Sequence, residues 1–218
     1  MNTVVLVPRR SDGGRRDQLW EYVQTRWVGW DVREGHHDDG PFNRSAAINQ
    51  AAEGDWDVAI IADSDSFVDP AQLDAAIIAA TVHGQITFAY ERFCYLNRQM
   101  SDRVMAGYQG DWWPGVEFAL TGTCSSMVVV TRKLWDAVGG FDEGFVGWGF
   151  EDVGFSLACQ ALGGGMQRVA GDVWHLQHPT SQTSETDPNY LANVARMKRY
   201  EACNYDPRAM RALLKELR

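Results

Sequence analysis

The sequence lacks both a paired-cysteine motif and a long apolar run. Its four cysteines lie 30 or more residues apart, with no C-x-x-C pair among them: Cys94, Cys124, Cys159 and Cys203. This spacing favours buried free thiols in a reducing compartment over a disulfide framework or a zinc site. No segment reaches the roughly 18 apolar residues that a membrane span requires, and the apolar run before Arg9 is too short for a signal peptide. We therefore expect a cytoplasmic protein with no membrane span.

Positive charge is also in the minority, with 20 Lys and Arg residues against 29 Asp and Glu residues and a net charge of −9. An acidic surface repels phosphate backbones, which argues against a dedicated nucleic-acid binder. The contents of 45% hydrophobic and 22% charged residues are typical of globular proteins and exclude a disordered or fibrous chain. A chain of 218 residues is long enough to bury a core within one domain.

Apolar runs of strand length alternate with helical patterns along the chain. The predicted strands are 3–7, 28–32, 58–62, 85–90, 127–130 and 166–169. The predicted helices are 16–25, 43–52, 70–81, a short one capped by Thr131, 152–162, and a tail with helix starts at Asp187-Pro188 and Asp206-Pro207. Residues 107–122 show no periodicity and are predicted to form a long loop. This order predicts a doubly wound, mostly parallel α/β sheet, which binds ligands beyond the carboxyl ends of its strands.

Two small clusters have the residue types of a metal site. Asp63 and Asp65 directly follow the buried strand 58–62, and Mg²⁺ or Mn²⁺ takes one or two carboxylates together with substrate phosphate oxygens. His175 and His178, spaced i, i+3 after a predicted strand, can converge on one metal if the segment turns. Imidazole beside carboxylate suits Mn²⁺ better than Ca²⁺. Each cluster alone also fits a structural role, the aspartates as a turn or helix cap and the histidines as surface or core residues.

Residues 139–152 combine glycines with aromatic and acidic side chains. Glycines let the backbone approach a ligand closely, and Trp148 offers an aromatic platform of the kind that packs on a sugar ring. Glu151 and Asp152 fall in the first turn of a predicted helix, where the macrodipole stabilises negative charge. A Gly-rich turn before an acidic helix start is the structural alternative, but so many glycines are costly for stability without a ligand. The nearby Trp112-Trp113 pair can form an acceptor platform or pack over the core.

Together, the D-x-D after the third strand, the G-G-F-D-E-x-F-x-x-W-G-x-E-D segment and the later H-x-x-H resemble the nucleotide-sugar glycosyltransferases of the GT-A fold. The likeness is to the β1,4-galactosyltransferases and the GalNAc-transferring modules of chondroitin-type polymerases, over about residues 4–179. It implies a GT-A (Rossmann-like) α/β fold with a mostly parallel central sheet flanked by helices. It also implies one domain over 1–218, with a nucleotide-binding half (1–100), an acceptor and catalytic half (101–180) and a helical tail (181–218).

The resemblance implies donor-binding roles for residues of the first half. Pro8 and Arg10 match the first-strand loop that holds the nucleotide, and Phe42 matches an aromatic residue that stacks on uracil. Arg44 matches an arginine that helps to bind the nucleotide, and Asp63 one that faces ribose or sugar hydroxyls. The arginines of the opening segment fit a local diphosphate site, although a solvated surface would look the same: Arg9, Arg10, Arg15 and Arg16.

The resemblance also implies the metal ligands. Asp65 matches the ligand aspartate and His178 the metal-binding histidine, while His175 stands where galactosyltransferases have a methionine ligand. Imidazole in place of thioether keeps three protein ligands and suits a harder metal. A gap in the alignment would instead make His175 the polymerase-type ligand and leave His178 outside the coordination shell.

In the catalytic half, Trp148 matches a tryptophan that lines the donor and acceptor pockets, Asp152 the catalytic carboxylate and Glu151 its neighbour, which binds acceptor or sugar hydroxyls. The implied reaction moves a hexose (Gal, GalNAc or Glc) from a UDP-sugar to a hydroxyl of a glycan, a protein or another acceptor. It needs Mn²⁺ or Mg²⁺ and inverts the anomeric centre, with Asp152 as general base. A retaining glycosyltransferase and a non-catalytic sugar or nucleotide-sugar binding module are the alternatives. A nucleotidyltransferase would want a Gly-rich phosphate loop where Pro8 and Arg10 stand.

Overall fold

The computed structural model describes residues 1–179 and 186–217. Its ten strands are β1 (Thr3–Pro8), β2 (Asp31–Gly35), β3 (Val58–Ile61), β4 (Ser66–Phe67), β5 (Ile86–Phe88), β6 (Arg92–Leu96), β7 (Val116–Thr121), β8 (Val128–Thr131), β9 (Met166–Arg168) and β10 (Asp172–His175). The eight α-helices of that part of the chain are α1 (Arg15–Val23), α2 (Arg44–Ala51), α3 (Pro70–His83), α4 (Arg98–Met105), α5 (Arg132–Val138), α6 (Glu151–Gly163), α7 (Pro188–Ala202) and α8 (Pro207–Leu217). Short 3-10 turns cover Gln24–Trp27 and Trp113–Gly115.

The central sheet has six strands in the order β2-β1-β3-β8-β5-β9. Five of them run in one direction, and β8 alone is antiparallel to its neighbours β3 and β5. The strands β1 and β3 are continuous apolar runs because helices cover both faces of the sheet, and Val4–Val7 and Val58–Ile61 are almost completely buried. The prediction of a mostly parallel α/β sheet flanked by helices is confirmed, with one antiparallel strand inserted in its middle.

A second sheet of four strands, in the order β4-β10-β6-β7, lies beside the carboxyl ends of the first. β4 begins one residue after Asp65 and pairs antiparallel with β10, so that Ser66 lies opposite His175. The backbone N–H of Leu176 donates a 2.9 Å hydrogen bond to the carbonyl of Asp65. The D-x-D segment and the histidine segment, 110 residues apart in sequence, are therefore neighbours in this sheet.

Two sequence predictions are wrong. The second strand begins at Asp31, because residues 24–27 form a 3-10 turn and Val28 is 83% exposed. The predicted loop 107–122 contains β7, an edge strand whose residues are mostly exposed and therefore form no buried apolar run. Residues 181–185 and 218 of the predicted tail 181–218 lie outside the described residues. The described part of the tail is helical.

Several local signals fold as predicted. The side chain of Asp69 accepts a hydrogen bond from the backbone N–H of Ala71 at the start of α3, and Thr131 caps α5 in the same way. The four cysteines are free thiols, three of them buried. Among residues 1–179 and 186–217, no helix is both long and apolar enough to cross a lipid bilayer.

Candidate active site

The candidate site lies at the edge of the central sheet where the parallel strands end, and it includes the start of α2. The strand β2 ends at Gly35, where a Cβ atom would lie only 1.7 Å from the carbonyl oxygen of Ala47. Because glycine has no Cβ, α2 packs directly against the end of β2. Asn43 caps this helix by accepting a 2.9 Å hydrogen bond from the backbone N–H of Ala46, which places Arg44 at the first helical position.

Asp65, His175 and His178 form a compact group at this edge. One ligand atom from each residue lies within 4.8 Å of the other two. The Nε2 of His178 lies 3.0 Å from one carboxylate oxygen of Asp65, and the Nε2 of His175 lies 3.6 Å from the other. Ligands on opposite sides of a Mg²⁺-sized ion are about 4.2 Å apart, so one ion can contact all three after small side-chain movements. A carboxylate with two imidazoles is a donor set that suits Mn²⁺.

The pKa shifts of Asp65 and His175 favour the deprotonated forms that bind metal, whereas the raised pKa of His178 means that a metal would displace its proton. Burial alone would raise the pKa of Asp65, but the charge of His175 and the hydrogen bond from His178 lower it well below its ordinary value. Burial lowers the pKa of His175, while Asp65 raises the pKa of His178 against the effect of burial. The Nδ1 of His178 lies 2.9 Å from the carbonyl of Pro179, a contact that directs Nε2 towards Asp65. A deprotonated carboxylate and imidazole nitrogens are the forms that bind metal.

Arg44 stands at the centre of a second group. Its guanidinium donates to Asp63 at 2.6 Å and to Asp152, and it lies 3.7 Å from Glu151. Burial alone would lower the pKa of Arg44, but the three carboxylates raise it, so this side chain stays charged. The structure thus places Arg44 between the D-x-D turn and the helix that carries the predicted catalytic carboxylate. Nucleotide binding by Arg44 stays a prediction.

Glu151 and Asp152 lie in the first turn of α6, as the sequence predicts. Burial raises the pKa of Asp152, and Glu151 and Asp63 raise it further against the opposing charge of Arg44, so that it reaches about 8. A carboxylate with a pKa near neutrality can accept a proton at physiological pH. The acidic helix start therefore holds a part-buried carboxylate whose pKa is raised. A general-base role for Asp152 stays a prediction.

Pro8, Arg10 and Phe42 line one cavity of about 350 Å³. The guanidinium of Arg10 donates two hydrogen bonds to the carbonyl of His37 and one to that of Gly40, and its carbon lies 5.6 Å from the centre of the Phe42 ring. The other lining residues are Arg9, Ser11, Asp12, Arg16, Ser64 and Pro179. The cavity adjoins both the D-x-D turn and the histidine segment, through Ser64 and Pro179.

Arg16 lines this cavity without an ion-pair partner among the described residues. No carboxylate of residues 1–179 and 186–217 lies within 4.0 Å of its guanidinium, whereas Arg9 and Arg15 are both in ion pairs. Its positive charge also contributes to lowering the pKa values of Asp65 and His178. Arg16 thus lines the cavity and acts electrostatically on the candidate metal ligands. The composition of the opening segment alone did not distinguish Arg16 from the neighbouring arginines.

The three tryptophans that the sequence analysis considered, Trp112, Trp113 and Trp148, lie in two different places. Trp148 is 59% exposed and stacks on Tyr190 of α7, with ring centres 5.8 Å apart. Trp112 and Trp113 pack edge-on against Trp174. Because Trp174 and His175 are adjacent on β10, their side chains point to opposite faces of the sheet. The Trp112-Trp113 pair therefore packs on the face away from the candidate metal site.

Sequence reasoning did not single out three polar residues that hold the site together. Asn43 donates a 2.8 Å hydrogen bond to the carbonyl of Glu143, and the Ser126 hydroxyl accepts a 3.4 Å hydrogen bond from the backbone N–H of Asp63. Asn193 of α7 bonds to the segment before Glu151. Asn43 was recognisable as a helix cap, but no pattern marks the other two, because their partners are distant in sequence.

Comparison with known proteins agrees with this geometry. A family model described as the N-terminal domain of galactosyltransferase matches residues 114–180. The match includes Trp148, Glu151, Asp152, His175 and His178 but not the D-x-D segment. A search of curated protein sequences finds no match.

Solved structures show the fold. The catalytic domain of Drosophila β1,4-galactosyltransferase 7 in complex with xylobiose is 16% identical, with a TM-score of 0.54 over 88% of this chain and 79% of that one. Residues 1–349 of S. aureus TarS are 12% identical, with a TM-score of 0.59 over 100% of this chain and 70% of that one. The same TarS fragment in complex with UDP-GlcNAc gives a TM-score of 0.54. The resemblance to the GT-A nucleotide-sugar glycosyltransferases is confirmed, and this chain has their fold.

Proposed function

We propose that this chain is a metal-dependent glycosyltransferase that moves a hexose from a UDP-sugar to an acceptor hydroxyl. The observation that carries the proposal is the meeting of three groups at one sheet edge: the Asp65, His175 and His178 cluster, the Arg44-centred carboxylates and the Phe42 cavity. The galactosyltransferase match over residues 114–180 and the GT-A fold support it.

The donor would occupy the cavity and the adjoining edge. The exposed part of the Phe42 ring offers a stacking surface for uracil, and Arg16 offers an unpaired charge for the diphosphate. Mn²⁺ or Mg²⁺ held by Asp65, His175 and His178 would stabilise the negative charge that develops on the departing UDP. Asp63 and Arg44 then lie on the side of the sugar, where Asp63 would accept hydrogen bonds from its hydroxyls.

Asp152 would act as the general base. Its raised pKa allows it to take the proton of the acceptor hydroxyl while the oxygen attacks the anomeric carbon from the side opposite the diphosphate. This in-line displacement inverts the anomeric centre. Glu151, beside it on α6, would bind hydroxyls of the acceptor or of the donor sugar, and Trp148 would pack on the sugar rings. The acceptor is a glycan, a protein or another hydroxyl compound.

A panel of UDP-sugars with and without Mn²⁺ tests the donor and the metal together. A ligand present at about 100 times its Kd stabilises the folded state by about 2.7 kcal/mol, which a thermal-shift assay detects readily. We expect a shift with UDP and with one UDP-sugar, only when Mn²⁺ is present. No shift with any UDP-sugar would refute the proposed donor class.

The catalytic role is tested separately with Asp152→Asn, which removes the base but keeps the side-chain shape. We expect transfer to be abolished while Mn²⁺-dependent UDP binding stays within twofold of wild type. Loss of both would mark Asp152 as a binding or structural residue. Retention of the anomeric configuration in the product, read by NMR, would favour the retaining alternative. Donor binding with neither transfer nor UDP-sugar hydrolysis would favour a binding module.

A further inference from the structure

The segment that carries Trp148 has an unusual backbone conformation. Gly147, Gly149 and Phe150 all adopt positive φ angles, of 74°, 113° and 74°. Glycine adopts this region freely, but for a phenylalanine it is strained. The segment Gly144–Phe150 forms no helix or strand. Its conformation must therefore be maintained by contacts from elsewhere in the chain.

Asn193 of α7 supplies the polar contacts. Its side chain is almost completely buried, with 1% of the residue exposed. Its Oδ1 accepts a 3.2 Å hydrogen bond from the backbone N–H of Val146, and its Nδ2 donates to the carbonyls of Val146 at 3.0 Å and of Trp148 at 3.3 Å. One amide thus bonds to both sides of the segment, and a buried amide that lost these partners would be costly.

Tyr190, one turn earlier on α7, supplies the apolar contacts. Its ring is nearly parallel to that of Trp148, at 14° and 5.8 Å between centres, and it lies 5.7 Å from the ring of Phe150. A Cβ atom on Gly149 would lie 3.7 Å from the Tyr190 ring, so the ring also covers this glycine. Tyr190 supports Trp148 while 59% of Trp148 remains exposed.

The other side of the same segment contacts the nucleotide cavity and the catalytic helix. The backbone N–H of Gly147 donates a 3.2 Å hydrogen bond to the carbonyl of Phe42. Phe150 directly precedes α6, and the first turn of that helix carries Glu151 and Asp152. A displacement of the segment would therefore move Trp148 and the start of α6 together.

We propose that α7 positions the sugar-facing part of the site, with Asn193 and Tyr190 as positioning residues that hold Trp148 and the start of α6. The proposal rests on the proposed function, because it assigns the transferase site a supporting element. The two residues do not contact the Phe42 cavity or the candidate metal ligands. The hydrogen bond from Gly147 ends on the backbone carbonyl of Phe42 and not on its ring. Loss of the two residues therefore affects the orientation of sugar and acceptor more than the binding of the nucleotide and the metal.

The experiment compares Asn193→Ala, Tyr190→Ala and Tyr190→Phe with Arg199→Ala, a control on the same helix whose side chain pairs with the exposed Glu216. We expect kcat/KM for transfer to fall at least tenfold in both alanine variants of the positioning residues, while the Kd for UDP with Mn²⁺ changes less than twofold. Tyr190→Phe keeps the ring and should retain activity, as should Arg199→Ala. Wild-type kcat/KM in a folded Tyr190→Ala would overturn the proposal, even if Asn193→Ala does not fold.

Hydrogen exchange of residues 143–150 gives a readout that does not depend on activity. Exchange of this segment should become at least tenfold faster in Asn193→Ala or Tyr190→Ala and stay unchanged in Arg199→Ala. If the wild-type protein transfers no sugar, the proposed function is refuted, and the exchange data alone decide on the role of α7. Unchanged exchange in both alanine variants would then overturn that role.

Discussion

The pH dependence of transfer follows from the surroundings of Asp152. Its pKa is raised to about 8, by burial first and then by Glu151 and Asp63. As the proposed general base, Asp152 is active only when ionised, so we expect activity to rise with pH. With this pKa, about one tenth of the Asp152 side chains are ionised at pH 7 and about one hundredth at pH 6. We therefore expect kcat/KM to rise about tenfold per pH unit below pH 8 and to level off above it.

The charge of Arg44 provides a second test of the pKa of Asp152. Arg44 opposes the rise in the pKa of Asp152, so Arg44→Gln removes a stabilising charge from the ionised form. An upward shift of one pKa unit corresponds to about 1.4 kcal/mol. We expect the midpoint of the profile to move upward by about one unit or more, with activity at pH 7 falling about tenfold from this cause alone.

The assay is the initial rate of UDP release at pH 6 to 9.5, at saturating Mn²⁺ and a subsaturating donor concentration. Arg199→Gln, on α7, changes a side chain that pairs with the exposed Glu216; it is the matched control and should leave the profile unchanged. A flat profile between pH 6 and 8 would refute Asp152 as the titrating base. A midpoint that Arg44→Gln leaves in place, or moves downward, would refute the electrostatic link between the two residues.

Three further predictions concern the metal, the diphosphate and the packing. Asp65→Ala should abolish the Mn²⁺ dependence of UDP binding in calorimetry, whereas UDP affinity that stays equal to wild type with Mn²⁺ would contradict the metal assignment. Arg16→Ala, which removes an unpaired charge, should weaken UDP binding about tenfold and uridine binding little, and equal losses for both ligands would place Arg16 elsewhere. Gly35→Ala puts a Cβ atom 1.7 Å from the carbonyl oxygen of Ala47 and should lower the Tm by about 9 °C, for a cost of about 3 kcal/mol. Gly14→Ala, whose Cβ atom would lie no closer than 3.6 Å to Asp12, is its control, and an equal Tm change in both would refute the packing argument.

The part of the fold that sequence predicts well is the part with strong local signals. The runs at 58–62 and 127–130 are continuous and β-branched, and Asp69-Pro70 and Thr131 are caps whose side chains form the expected hydrogen bonds. The second sheet was harder, because its pairings join distant segments. β6 pairs with β10, 80 residues further on, and β7 is an exposed edge strand within a stretch rich in glycine and tryptophan.

Some residues of the candidate site could likewise be predicted from the sequence, and others could not. The residue types of Asp65, His175 and His178 indicated a metal site, and the structure brings them within reach of one ion. The bridging position of Arg44 had no such signal, since it depends on how α2, the D-x-D turn and α6 pack together. The role of Asn193 could not be predicted for the same reason. An asparagine inside a helix acquires such a role only through the backbone groups that lie opposite it.

The place of β8 in the central sheet limits how this protein can be divided. The strand belongs to the second half of the sequence, yet it lies between β3 and β5 of the first half, and Val128, Val129 and Val130 are buried there. A cut near residue 100 would separate β8 from β3 and β5 and leave two apolar strand edges open. Recombining residues 1–100 and 101–218 of different relatives would therefore disturb the core. The connecting segments at the rim can be exchanged while all six strands stay together.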